Sequence, residues 1–483
     1  MTNVLFVTLD QFRGDALGVV GHPFVATPTL DALAREGFLL QSHYSQSAPC
    51  SPGRAALYTG TYQMNNRVVA NGSPHPVNLD NVATVARRAG FDPVLFGYTD
   101  QALNPRAATG ENDPRLRNYD GVLPGFSIGC YLPEDQGPWV WWLRENGFDV
   151  PEGWAPALRG EPDRPAEFSL SAYLTNRFLE WLPQQESGWF AHLSYLRPHP
   201  PYAAAGEYSR RHHPDEVDMP IAAVESALQH PLHALSLAHE SSAAPREEGE
   251  LRSLRAQYFG MIEEVDFQLG RVVEAIRRRD EWDETLVIVT ADHGEQLGDH
   301  GLLEKLAYFP QSYHILGIWR EPGRGAGVIN HWTENVDIVP TLCDALGVET
   351  PRSVDGRSLV PLMGGVATEW RSAAHYEWDW RYFFLGRSTP LWPHDRILSR
   401  QNLAVSVGSE IAYVQFGDGS YVAYDLLADP TWRTPCRDET RILRAAQEQL
   451  QWRQEHLRRD DTDMLVGERR LGIWPPLGSH TVR

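Results

Sequence analysis

The run Pro49-Cys50-Ser51-Pro52-Gly53-Arg54-Ala55-Ala56-Leu57-Tyr58-Thr59-Gly60 places a cysteine where chemistry is cheap. Pro52 suits the first turn of a helix, Ala55 to Leu57 continue it and Gly60 ends it, so Cys50 falls just before a helix N-terminus. Backbone N–H groups there favour an anion, and Arg54, about one turn along, adds a fixed positive charge. On the residues alone Cys50 is a buried core thiol, a thiolate nucleophile or a modified side chain. Two further pairs sit at strand ends: Asp10-Gln11 after Val4 to Leu9, and Asp292-His293-Gly294 after Val287 to Thr290. Ligands in open α/β sheets gather beyond the carboxyl ends of the strands, so the two pairs can converge on one ion. Three oxygen donors with one imidazole suit Ca²⁺ or Mn²⁺ better than a zinc cage. Taken singly, each aspartate reads first as a helix cap. Of the 43 basic residues 42 are arginine, and Lys305 is the sole lysine. Codon bias with one stray residue is the plain explanation.

These residues must be positioned by α/β elements. Val4 to Leu9 is apolar on both faces, as a buried central strand should be. Thr27-Pro28 supplies an N-cap and a first-turn proline for a helix with Leu30, Leu33 and Ala34 on its buried stripe and Gly37 at its end. The alternation recurs: Val94 to Phe96 after a helix over 81–89, Trp189 to Tyr195 after one over 171–181, and Thr285 to Thr290 after a long amphipathic helix over 250–279. This predicts a large, mostly parallel sheet flanked by helices over residues 1–365. Residues 203–248 lack clean periodicity and read as a lid, an arm or an oligomer contact with short helices. From residue 366 to 483 the pattern becomes a smaller α+β domain, with an antiparallel meander at Leu403 to Val407, Ile411 to Phe416 and Tyr421 to Tyr424, and a helix over 439–458.

Composition bounds the rest. At 483 residues the chain exceeds the roughly 250–300 at which one core stops growing. A net charge of −20 argues against a nucleic-acid surface. Cys50, Cys130, Cys343 and Cys436 show neither disulfide nor zinc spacing, and Cys130, Cys343 and Cys436 read as core or surface thiols. No secretion signal and no run of about 18–20 apolar residues is present, so a cytoplasmic protein without a membrane partner is expected.

Cys50-x-Pro52-x-Arg54 followed by Leu57-x-Thr59-Gly60 resembles the type I sulfatase signature, in which the cysteine is oxidised after translation to Cα-formylglycine. The resemblance covers about residues 1–430: Asp10-Gln11, Gly97-Tyr98-Thr99, Arg197-Pro198-His199-Pro200-Pro201, and Asp292-His293-Gly294-Glu295-x-Leu297-Gly298-Asp299-His300 with Lys305 beyond. It is nearest the branch of the alkaline phosphatase superfamily containing phosphonate monoester hydrolases and their sulfatase relatives, and implies an alkaline phosphatase-like fold.

The resemblance implies a hydrated aldehyde that attacks sulfur or phosphorus through one hydroxyl and expels the product through the other, by way of a covalent sulfo-enzyme. It implies one divalent metal ion held by Asp10, Gln11, Asp292, His293 and the group at Cys50, with Arg54 orienting the nucleophile. His199 serves the leaving oxygen and Lys305 the transferred group, while Asn71, Tyr98 and Asp100 line the anion pocket. Gln11 and His293 stand where many sulfatases have Asp and Asn, which lowers the negative charge around the ion and favours Mn²⁺ over Ca²⁺. Asp100 replaces an expected threonine. A formylglycine-generating enzyme and a homo-oligomer, dimer or tetramer, follow from the same resemblance.

The leading expectation is a formylglycine-dependent sulfatase of aryl sulfate monoesters with side activity on phosphonate monoesters and phosphate diesters. A phosphonate monoester hydrolase or phosphodiesterase with sulfatase side activity is the alternative, and a non-catalytic metal- or anion-binding homologue the third reading. His199 in a rigid proline loop, Asn71 in a turn and Tyr98 as a core phenol each have a purely structural reading as well. Asp299 and His300 read as support for the site rather than a second metal centre. Trp139, Trp141, Trp142 and the run Tyr376 to Trp380 read as packing ahead of an aryl pocket.

Overall fold

The computed structural model describes residues 2–457 apart from 119, 152, 226–228, 367–368 and 381–400, together with a strand pair at 465–466 and 472–473. Eight strands form the main sheet: β1 Asn3–Leu9, β2 Phe38–Tyr44, β3 Pro93–Gly97, β4 Ser127–Tyr131, β5 Phe190–Tyr195, β6 Thr285–Thr290, β7 Gly317–Arg320 and β8 Gly327–Glu334. Their order is β4-β3-β5-β1-β6-β7-β2-β8, parallel throughout except that β7 runs antiparallel to both β6 and β2.

β1 is buried over its whole length because both sheet faces are covered. Its side chains alternate between two cores. Leu5, Val7 and Leu9 pack with Val265, Leu269 and Val272 of the Glu248–Arg278 helix, whereas Val4 and Phe6 pack with Leu57, Val85 and Leu342 on the opposite face. Each such burial contributes about 1.5–3 kcal/mol.

A separate antiparallel sheet, ordered β12-β11-β10-β9, comprises β9 Ala374–Asp379, β10 Asn402–Val407, β11 Ile411–Phe416 and β12 Tyr421–Asp425. It carries the predicted meander plus β9, a strand not expected from the aromatic run, which read as packing ahead of an aryl pocket. That packing is real: Tyr376 stacks on Tyr313 at 3.9 Å between ring centres. Trp139 is buried and Trp142 packs against Tyr173, while Trp141 is exposed. The helix expected over 439–458 runs Glu439–His456; Arg458 lies outside the described residues.

Two local expectations change. Thr27 does not cap the helix it precedes: its hydroxyl accepts from the Gly18 N–H at 2.9 Å and donates to Asp31 at 2.9 Å, tying the helix to the preceding loop instead. The long helix begins two residues earlier than its apolar stripe, because the Glu247 carboxylate accepts from the Glu250 N–H at 2.6 Å.

The described residues of 203–248 form short helical turns and a helix Pro231–Ala238 that lie across other elements. Leu232 joins the core shared by Leu306 and Tyr308, His230 stacks on Phe416 at 3.5 Å, and the Ile221 N–H donates to Asp299 at 2.7 Å. The segment therefore straps the Lys305 loop to the second sheet.

Candidate active site

Strand ends and one helix start deliver the site. Asp10 and Gln11 leave β1, Tyr98 and Asp100 follow β3, His199 follows β5, and Asp292 and His293 follow β6. The helix Cys50–Thr59 begins at the cysteine itself and ends where Gly60 adopts φ +68° and its N–H returns to Ala56 at 2.9 Å. Gly53 allows this helix to press against the β6 exit. A Cβ there would stand 2.5 Å from the Asp292 carbonyl oxygen and 3.0 Å from that of Ser47.

One ligand atom each from Asp10, Cys50, Asp292 and His293 lies within 4.8 Å of the others, and all four residues are buried. His293 Nε2 is 3.2 Å from Cys50 Sγ, 3.8 Å from Asp10 Oδ1 and 3.6 Å from Asp292 Oδ2. Arg54, wholly buried behind them, reaches Asp10 Oδ2 and Asp292 Oδ2 at 3.0 Å each and donates to Ser194 Oγ at 2.8 Å. Its guanidinium also lies 4.2 Å from the centre of the Tyr98 ring, whose hydroxyl donates to Asp10. Asp10 Oδ1 is buried with no hydrogen-bond partner. An orphaned carboxylate oxygen facing an imidazole and a second carboxylate fits a divalent cation, whose charge would satisfy it.

The electrostatics agree with crowding around such a centre. Burial raises Asp292 to about 7, helped by the Asp10 charge and opposed by Arg54. Burial acts the same way on Asp10, but His199, Arg54, His293 and Lys305 hold it well below the usual carboxylate range. Burial and Asp10 push the Cys50 thiol far up, which argues against a free thiolate nucleophile. His293 is lowered to about 3 by burial and by Lys305, so it presents a neutral imidazole.

A second group faces the same helix start. Asn71 Oδ1 accepts from the Ser51 N–H at 3.0 Å, and Asp100 Oδ2 accepts from Ser51 Oγ at 3.1 Å. Burial raises Asp100 to about 7 against the pull of Arg54. Lys305 Nζ donates to Gln11 Oε1 at 2.9 Å and lies 2.9 Å from His199 Nε2 and 3.1 Å from Glu304 Oε2. His199 Nδ1 is 2.6 Å from the Pro200 carbonyl, which only accepts, so the ring proton sits on Nδ1 and Nε2 accepts from Lys305.

The candidate site residues read from the sequence thus meet around one helix N-terminus. The sequence reading missed Gly53, Glu295, Glu304 and Ser194. Glu295 follows His293 by two positions, yet nothing local signals that its carboxylate accepts from the Gln11 side chain. Asp299 pairs with Arg13 at 2.8 Å and His300 stacks on Phe309 at 3.6 Å, so both support the loop. Among the described residues the four cysteines are free and buried, and no helix is long and apolar enough to cross a membrane.

The sulfatase family model matches residues 2–348. The multifunctional alkaline phosphatase superfamily protein PehA of Trinickia caryophylli is 37% identical over 467 residues, covering 89% of this chain and 90% of its own. The phosphonate monoester hydrolase of Agrobacterium radiobacter superposes with a TM-score of 0.88 at 38% identity, covering 98% of this chain and 100% of its own. That of Silicibacter pomeroyi gives 0.86 at 31% identity, with 98% and 99% coverage. The chain belongs to the sulfatase family and is a hydrolase of the alkaline phosphatase superfamily.

Proposed function

We propose that the protein is a formylglycine-dependent hydrolase of singly charged tetrahedral esters, with phosphonate monoesters and phosphate diesters ahead of aryl sulfate monoesters. The observation that carries the reading is Cys50 at the start of a buried helix, with donor atoms of Asp10, Asp292 and His293 gathered around it. Its similarity to two phosphonate monoester hydrolases and to a multifunctional relative supports this order, which reverses the sulfatase-first expectation drawn from the motif resemblance. Sulfatase-first activity remains the second reading, favoured by the family model over residues 2–348.

Asp10, Gln11, Asp292 and His293 would hold the divalent ion, Mn²⁺ or Ca²⁺, which when bound supplies Lewis-acid charge to the reacting oxygens. Oxidation of Cys50 by a formylglycine-generating enzyme would exchange a thiol that burial keeps protonated for an oxygen nucleophile. Arg54 fixes both aspartates through charge-assisted bonds and so orients the group at position 50. Lys305 donates to His199 Nε2 across 2.9 Å, so the pair brings one positive charge, on the ammonium, to the transferred group, and passage of that proton to Nε2 would make His199 a donor to the leaving oxygen. Asn71 and Asp100 hold Ser51 and with it the rim of the anion pocket. Cytoplasmic residence and assembly as a dimer or tetramer belong to the same proposal.

The test has two parts. Mass spectrometry of the Cys50 peptide, from protein produced with a formylglycine-generating enzyme, should show the aldehyde; unmodified cysteine alone in an active preparation overturns the nucleophile. Matched aryl phosphonate and aryl sulfate esters should then differ in kcat/KM in favour of the phosphonate, and a sulfate preference of several orders of magnitude reverses the ranking.

A further inference from the structure

Gln11 has its main chain pinned: φ is +67°, the N–H donates to Asp292 Oδ1 at 3.2 Å and the carbonyl accepts from the Tyr258 hydroxyl at 2.7 Å. What stays open is which end of its carboxamide points where, because a half-turn about the last side-chain bond exchanges oxygen and nitrogen. Two neighbours of opposite character decide it. Lys305 has donors only, and its Nζ lies 2.9 Å from Gln11 Oε1; the Glu295 carboxylate accepts from Gln11 Nε2. Reversal would set oxygen against carboxylate and amide hydrogens against ammonium.

Glu295 is itself held rigidly. Its Oε1 accepts from the backbone N–H groups of Leu297 at 2.8 Å and Glu304 at 2.7 Å, leaving Oε2 for Gln11. The residue is fully buried, and among the described residues no Lys, Arg or His forms an ion pair with it. Both of its oxygens meet N–H donors, so the site holds Glu295 as an acceptor and presents Oε2 to Gln11 in that role. Glu304 Oε2 reaches Gln11 Nε2 only at 3.4 Å and from a side chain that is one-quarter exposed, so it is the weaker partner.

We propose that Glu295 is the positioning residue that turns the Gln11 oxygen toward the ion, leaving the lone pair not used by Lys305 for coordination. This rests on the metal site proposed above. A carboxamide at position 295, its oxygen kept by the same two backbone N–H groups, would turn its NH2 toward Gln11 and favour the reversed orientation against Lys305, so the preference would be lost.

The test is calorimetric titration of the full-length protein with Mn²⁺ and, separately, Ca²⁺, alongside thermal melting without metal. Glu295→Gln should weaken binding of the preferred ion at least tenfold while melting close to wild type. The double variant Gln11→Glu with Glu295→Gln should recover the wild-type Kd to within about threefold or tighten it, because the carboxamide at position 295 can then donate to a carboxylate that has no wrong end. Wild-type affinity in Glu295→Gln, or no recovery in a double variant that melts like wild type, overturns the assignment. If the wild-type chain binds neither ion, the metal reading falls at the first titration and this inference falls with it.

Discussion

Lys305 is 7% exposed and touches Gln11, His199 and Glu304 within 3.1 Å, so the one lysine of an arginine-rich chain lies within the candidate site. An ammonium places three donors around a point, whereas a guanidinium spreads five in a plane and needs a wider berth. Lys305→Arg should lower kcat by about 10²–10³-fold while the melting curve stays near wild type, the size expected when one preorganised donor is misplaced. Wild-type turnover would return Lys305 to the stray-residue reading. Cys50, Arg54, Asp292 and His293 could be singled out as candidates from spacing because each sits beside a helix or strand end, while their roles came from the family resemblance. Glu295 and Ser194 could not, since their value lies in partners 284 and 140 positions away in the chain.

Among the elements, the Cys50 helix has the least room. Gly53→Ala adds one methyl group 2.5 Å from the Asp292 carbonyl oxygen, which neither backbone can relieve without separating Cys50 from Asp292. The variant should bind the divalent ion at least tenfold more weakly and lose most turnover, read by metal titration and steady-state assay; unchanged affinity would show that the helix slides freely. The long Glu248–Arg278 helix offers a pH test away from the site. Glu264 is raised to about 7 by burial, with Glu161 adding to it, and its main partner is Ser169 at 2.7 Å. A carboxyl group whose folded pKa exceeds its unfolded value contributes most below the unfolded value and loses that contribution as pH rises through the folded one. Glu264→Gln should therefore gain stability relative to wild type on going from pH 5 to pH 8, by about 1–3 kcal/mol in paired denaturant titrations. A difference independent of pH would mean that Glu264 ionises normally. Strands β1, β3 and β6 were legible because their interiors are mainly β-branched and apolar, and β5 because aromatic and aliphatic residues recur around His192 and Ser194. β8 was not, since exposed Asn330 and His331 interrupt it at the sheet edge, and four-residue β7 is too short to show a period.

Across the whole molecule, the second sheet braces the loop that leads into Cys50. The Glu377 N–H of β9 donates to the Gln46 carbonyl at 2.9 Å, and its side chain accepts from the Met64 N–H at 2.9 Å and from Arg453 at 2.8 Å. Nearby, Arg371 joins buried Asp337 at 2.5 Å and Glu334 at 3.6 Å. Arg371→Ala leaves two buried carboxylates uncompensated and should cost about 3–5 kcal/mol, seen as a lower urea midpoint; a shift under about 1 kcal/mol would show that water replaces the guanidinium. The fold class was visible in the alternation of strands and helices, but strand order was not, because it depends on which hydrophobic faces meet at long range. That order also sets a timetable for synthesis. β2 carries Phe38, Leu39 and Leu40 into the core, yet both its neighbours, β7 and β8, begin at residue 317 or later. A ribosome must add more than half of this chain after β2 before that greasy strand finds either flank. Until then β2 is a sticky, unpaired template in the nascent polypeptide, so messages truncated before Gly317 should yield chaperone-bound or aggregated fragments rather than a smaller folded body.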